Sequence, residues 1–149
     1  MKISVQGTYG LAAAVQLAGQ YNVNDSFIPG INISTSLGIS KIFLERVLSN
    51  LKRGGIVTSA KGASGGYRLA KSPEKITAWD ILTAVESSLF ERAGSTVLEN
   101  SPNIEAAIKS LVFTKLDYAI EHTLKKITLY EMLEASVSRN TEQAFMMNI

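Results

Sequence analysis

Ser40-Lys41-Ile42-Phe43-Leu44-Glu45-Arg46-Val47-Leu48-Ser49-Asn50-Leu51-Lys52-Arg53-Gly54-Gly55 is the stretch whose reading decides the fold of this chain of 149 residues. Ser40 is a good N-cap, Phe43, Leu44, Val47, Leu48 and Leu51 recur at helical spacing on an inward face, and the glycine pair stops the helix. The opposite face is Lys41, Ile42, Glu45, Arg46, Ser49 and Lys52. Just before it, Pro29 opens a short helix through Ser36, and Leu37-Gly38-Ile39 reads as a tight turn. Two helices joined in this way need a small residue where they cross, a residue tolerant of left-handed geometry in the turn, and apolar anchors in the second helix. Ser34, Gly38, Leu44 and Val47 supply them. The expectation is a helix-turn-helix whose second helix, opened by Ser40 and Lys41, presents its first residues to base edges in the DNA major groove.

Working outward, Ile56–Ala60 and Tyr67–Ala70 read as two short strands joined by Lys61-Gly62-Ala63-Ser64-Gly65-Gly66, a glycine-rich hairpin. Such a hairpin after a helix-turn-helix is a wing, with Lys61 and Arg68 expected near backbone phosphates or the minor groove. Upstream, a first helix is expected from about Gly7 to Gln20, with Tyr9, Ala12, Ala13 and Leu17 on one stripe. Downstream, Thr77 and Asp80 form a capping-box signature ahead of Ile81, Leu82 and Val85. Ser87 to Ser101 has no sustained periodicity and reads as a linker. Pro102 then opens a long helix with Ile104, Ile108, Leu111, Val112, Leu116, Ile120 and Leu124 on one apolar stripe, roughly 35 Å long at about 1.5 Å per residue. A short helix is expected from Thr128 to Ala135 and a tail from Ser138 to Ile149. The resulting division is a winged domain over 1–86, a linker over 87–101, dimerisation helices over 102–137 and a tail over 138–149. The fold class is mainly α with a small β wing. A helix this long outruns a winged domain of about 80 residues, so its stripe predicts a homodimer.

At 46% hydrophobic and 19% charged the chain has enough apolar material for a core, which excludes disorder for the bulk of it. No stretch approaches the roughly 18 apolar residues of a membrane span and the start lacks a signal-peptide core, so a soluble cytoplasmic protein without a membrane partner is expected. The net charge of +2 conceals a segregation. Residues 41–75 carry eight bases against two acids, net +6, whereas residues 76–149 carry six bases against ten acids, net −4. A basic segment that coincides with a helix-turn-helix and a wing points to duplex DNA. Ser40, Lys41, Glu45, Arg46, Lys61 and Arg68 are the candidate DNA contacts.

Three stretches together resemble a family. Met1-Lys2-Ile3-Ser4 through Gly7-Thr8-Tyr9-Gly10-Leu11, Gly38-Ile39-Ser40 with Phe43-Leu44-Glu45, and above all Lys61-Gly62-Ala63-Ser64-Gly65-Gly66-Tyr67-Arg68-Leu69-Ala70 are similar to the winged-helix regulators of the Rrf-two family. The likeness extends through Ile76-Thr77-Ala78-Trp79-Asp80-Ile81 and Ile127-Thr128-Leu129. It implies a homodimeric regulator, paired through the long helix, that binds palindromic operators. Cluster-binding members hold iron with three cysteines in the interval that corresponds to Ser87–Ser101, and this chain has 0 Cys. The resemblance is therefore to the cysteine-free subclass of the cysteine-metabolism repressor, with no iron, zinc or cluster and no other cofactor expected. The ending Met147-Asn148-Ile149 looks like serine acetyltransferase tails, which implies docking to cysteine synthase through Asn148 and Ile149. In that reading the terminal carboxylate mimics a substrate carboxylate and the Ile side chain fills an apolar pocket. The competing expectation is that Phe145, Met146 and Met147 fold back on the protein's own core.

Other features carry less. Glu131 and Glu134 are three apart on a helix but lack a partner base or oxyanion donor, so a solvated face is expected and an enzyme is disfavoured. Gly62–Gly66 lacks the Gly-Lys-Ser/Thr ending of a phosphate loop. His122 is a lone imidazole, Trp79 is expected in domain packing, and Tyr9 is expected in the core. A protein-interaction module that has lost DNA binding is a further alternative, disfavoured by retention of Lys41, Arg46 and Lys61.

Overall fold

A computed structural model describes residues 2–23, 26–86, 90 and 100–147. In chain order the elements are α1 (Val5–Ala18), α2 (Gly30–Leu37), α3 (Lys41–Arg53), β1 (Val57–Ala60), β2 (Gly66–Leu69), α4 (Ala78–Val85), α5 (Pro102–Ile108), α6 (Thr114–Lys125) and α7 (Leu129–Met147). A single 3-10 turn, Pro73–Lys75, precedes α4, and a five-residue π-helical stretch, Lys109–Phe113, joins α5 to α6.

The N-terminal helices pack around one core. Ala13 and Leu17 of α1, Ile33 of α2, Leu44, Val47, Leu48 and Leu51 of α3, and Ile81 of α4 are all buried in it. The spacing of 44, 47, 48 and 51 puts four side chains on one stripe of α3, and the remainder of that helix faces solvent. Phe43, expected inward, flanks this stripe. It is 37% exposed and packs edge-to-face with Tyr9, with ring centroids 5.5 Å apart.

The turn between α2 and α3 is built as its sequence demands. Gly38 ends α2 with φ 67°, a left-handed conformation that costs a residue with Cβ. Ser34, nearly buried, accepts at its carbonyl from the Ile39 amide at 3.1 Å and donates its hydroxyl to the Ile39 carbonyl. One residue thus closes the turn twice, with its backbone carbonyl and with its hydroxyl. Pro29 lies one residue before the helix it was expected to open, as the N-cap of α2.

β1 and β2 pair antiparallel, with Val57 opposite Leu69 and Thr58 opposite Arg68. A third piece of extended chain joins them: Ile28 and Tyr67 exchange both backbone hydrogen bonds at 2.8 Å. Gly66, at φ 144°, lets this happen, because a Cβ there would stand 2.2 Å from the Ile28 carbonyl oxygen.

α4 carries the expected capping box, with the Thr77 and Asp80 side chains reciprocally bonded to each other's amides. Its last turn returns to the N-terminus, where the buried carboxylate of Glu86 accepts from the Ser4 amide at 2.9 Å and from the Ser4 hydroxyl. Ser4 in turn caps α1 by accepting from the Gly7 amide.

The C-terminal half departs from the expected division in two ways. After α6 the chain comes back to the winged domain. Thr77 bridges Thr128, the Ala78 amide donates to the Ile127 carbonyl, and the Leu129 amide donates to the Ile76 carbonyl, both at 2.8 Å. Leu129 is fully buried in the same core as Leu17 and Leu44. The first turn of α7 therefore belongs with the winged domain rather than with a separate dimerisation unit. Second, α7 does not stop near Ala135 but runs 19 residues to Met147, so the stretch read as a tail is helical. Phe145, Met146 and Met147 are 67%, 71% and 84% exposed, which rules out the expected fold-back on the core. Asn148, Ile149 and most of the 87–101 linker lie outside the described residues. Among the described residues no helix is long and apolar enough to cross a membrane.

Candidate nucleic-acid interface

The exposed edge of α3 is where the basic segment and the helix-turn-helix coincide. Ser40 caps the helix with its hydroxyl, which accepts from the Phe43 amide at 3.3 Å. That leaves the first turn with the positive end of the helix dipole and amides directed at whatever approaches. Lys41, Glu45 and Arg46 are exposed on this helix, and Lys61 is exposed where β1 runs into the wing turn. None of the four forms an ion pair among the described residues. Lys41 at the helix N-terminus and Lys61 in the wing turn are unneutralised cations that suit phosphate oxygens, and Arg46 and Glu45 further along α3 have the donor and acceptor sets that read guanine and cytosine edges.

Arg68 and Lys61 are not equivalent. Arg68 lies on β2 opposite Thr58, in the body of the wing, and its guanidinium sits 4.4 Å above the centre of the Phe27 ring. Phe27 directly precedes the Ile28 bridge, so this contact belongs to the packing that holds the wing to the strand before α2. Neither Phe27 nor Ile28 stood out in the sequence, since a single bridging residue leaves no alternating pattern.

The residues weighed for other chemistry have local structural roles. Glu131 reaches back to the Thr128 amide at 3.3 Å while its own amide donates to Thr128 Oγ1 at 3.1 Å, a capping box for α7. Glu134 hydrogen-bonds Tyr130 and raises its phenol above the usual value, helped by nearby negative charge. Trp79 lies against Phe90, with centroids 4.6 Å apart, and Lys125 Nζ of α6 is 5.6 Å from its ring, which is domain packing and not a base-stacking platform. His122 stacks on Tyr118 at 5.3 Å on the surface of α6.

A helix-turn-helix with a basic, capped second helix and a glycine-turned hairpin behind it defines a winged helix-turn-helix DNA-binding protein. The chain belongs to the Rrf2 family, described as iron-dependent transcriptional regulators, whose model matches residues 3–135. It is 32% identical over 149 residues, the whole of both chains, to the HTH-type transcriptional regulator CymR of Bacillus subtilis strain 168. It is 29% identical over 133 residues to the regulator IscR of Erwinia tasmaniensis, spanning 89% of this chain and 79% of that one. The solved structure of CymR, the global cysteine regulator of B. subtilis, superposes with a TM-score of 0.71 over 91% of this chain and 98% of that chain, at 29% identity. The protein is thus a DNA-binding transcriptional regulator, and its relatives are regulators rather than enzymes.

The family description invokes iron, and the donors of this chain do not fit an iron-sulfur cluster. It has 0 Cys and 1 His, that histidine is stacked on a tyrosine, and the described residues hold no group of three or more His, Cys, Asp or Glu able to surround a metal.

Proposed function

We propose that the protein is a cytoplasmic, homodimeric repressor of cysteine and sulfur metabolism that recognises a palindromic operator without an iron-sulfur cluster. The observation that carries this reading is end-to-end similarity to CymR in a chain that has no cysteine for a cluster. Ser40, Lys41, Glu45 and Arg46 enter the major groove and Lys61 follows the backbone from the wing, with Arg68 behind it. Ile104, Ile108, Leu111, Val112, Leu116 and Ile120 pair the long helices of two copies. Support for the pairing is their exposure: Ile104, Leu111, Val112 and Leu116 are all more than half exposed in the single chain. A regulator of another metabolic signal shares all of these features except the cysteine link. Genome-wide mapping of bound sites separates the two. Occupancy upstream of cysteine and sulfur genes supports the proposal, and occupancy confined to unrelated promoters refutes it.

A second part of the proposal is the signal. Asn148 and Ile149 dock into cysteine synthase, where cysteine precursor and tail compete for one pocket, so that precursor levels are coupled to operator occupancy. In support, α7 ends in Phe145, Met146 and Met147, which are held out to solvent as an apolar lead-in. Calorimetry with cysteine synthase should show binding by the full chain and none after deletion of Ile149, with DNA binding by the regulator alone retained. Undiminished binding to the enzyme after that deletion removes the docking mechanism.

A further inference from the structure

Ile42 is the second residue of α3 and is 78% exposed. The core has no use for it, since Leu44, Val47, Leu48 and Leu51 fill the inward stripe of the helix. An isolated exposed aliphatic side chain is ordinary on a protein surface. This one differs in its setting, because it stands in the first turn of the capped helix, next to Lys41, on a face otherwise charged or polar. Positions three and four residues apart share a helix face, so Ile42 lies one turn before Glu45 and Arg46 on the same side. When those two reach base edges, Ile42 faces the floor of the groove beside them.

The major groove offers one apolar feature, the C5-methyl group of thymine. We propose that Ile42 packs against a thymine methyl in each half-site and makes a T·A pair at that position part of the operator's specificity. This rests on the reading that α3 enters the major groove. The contact removes two apolar groups from water in a setting where Lys41 and Lys61 supply the attraction to phosphate. Ile42 therefore adds discrimination between sequences and leaves the electrostatic part of the affinity untouched.

Deoxyuridine differs from thymidine only by the missing methyl, which isolates the contact. The best genomic site is prepared as a duplex with deoxyuridine replacing each thymine in turn, symmetrically in both half-sites. Dissociation constants are measured at fixed salt for the wild type and for Ile42→Ala. At one thymine position the wild type is expected to lose about fourfold per half-site, the scale of burying one methyl group. Ile42→Ala is expected to bind the thymine duplex more weakly and to show no difference between thymine and uracil at that position. Its salt dependence and melting temperature should match the wild type, since the residue touches neither phosphate nor core. Equal wild-type affinity for every uracil duplex overturns the inference, as does full thymine discrimination surviving in Ile42→Ala. If affinity is indifferent to replacement of Lys41, Arg46 and Lys61, the placement of α3 in the groove is itself wrong and the inference falls with it.

Discussion

Glu86 and Ser4 are 82 residues apart in the chain, and their contact joins the end of α4 to the start of α1. The carboxylate is buried and accepts from both the amide and the hydroxyl of Ser4. These bonds are part-buried, with Glu86 buried and Ser4 exposed, and a hydrogen bond to a charged group contributes about 1 to 3 kcal/mol. Glu86→Ala should therefore lower unfolding free energy by about that amount in a denaturant titration, and unchanged stability would show that the contact contributes nothing. Local chemistry of this kind is legible in a sequence only at short range. Ser40, Thr77 with Asp80, and the Gly38 turn all announce themselves because their partners lie within a few residues. Ser4 and Glu86 do not, because nothing near either position signals a distant partner. Ser34 falls between: its small size was readable, but its hydroxyl bond to the Ile39 carbonyl was not.

At the scale of elements, the wing depends on one backbone position. Gly66 adopts φ 144° and leaves no room for a Cβ beside the Ile28 carbonyl. Gly66→Ala forces either strain or loss of the Ile28 bridge, at a cost of about 1 to 3 kcal/mol. The variant should keep the oligomeric state of the wild type but bind operator DNA more weakly, as measured by fluorescence anisotropy beside light scattering. Operator affinity equal to the wild type would mean that wing geometry does not matter for binding. The hairpin itself was readable from its glycines and flanking strands. The length of α7 was not, since beyond Ala135 most of its side chains are exposed and no apolar stripe marks the helix. The long helix shows the converse error. Its stripe fits a constant helical period in the sequence, but the π turn at Lys109–Phe113 inserts extra chain in the middle. Residues before and after that turn are therefore not on the straight line that the periodicity implies.

At the scale of the whole molecule, charge and apolar surface are divided between the two halves. The basic segment lies on α3 and the wing, and among the described residues a run of exposed apolar side chains, Ile104, Leu111, Val112, Phe113 and Leu116, lies on α5, the π turn and α6. Leu111 and Leu116 are 61% and 53% exposed there, a surface that water disfavours unless a second copy covers it. Leu111→Glu combined with Leu116→Glu should convert a dimer to a monomer in light scattering, with the circular dichroism of a folded protein retained. A wild-type protein that is already monomeric at micromolar concentration would refute the dimer. In the proposed dimer, two winged domains would address half-sites about one helical turn, roughly 34 Å, apart.

The central claim is that this surface binds duplex DNA through α3 and the wing. Anisotropy titration of the best genomic site, as a function of salt, tests it most directly when the wild type is compared with the Lys41→Ala, Arg46→Ala and Lys61→Ala triple variant. Neutralised phosphates release counterions, so log affinity of the wild type should fall linearly with log salt, and the triple variant should show a shallower slope. Arg46 alone is expected to account for about 1 to 3 kcal/mol if it reads a base, so the triple variant should bind at least about tenfold more weakly. Equal affinity and equal salt slope for the two proteins would contradict the account.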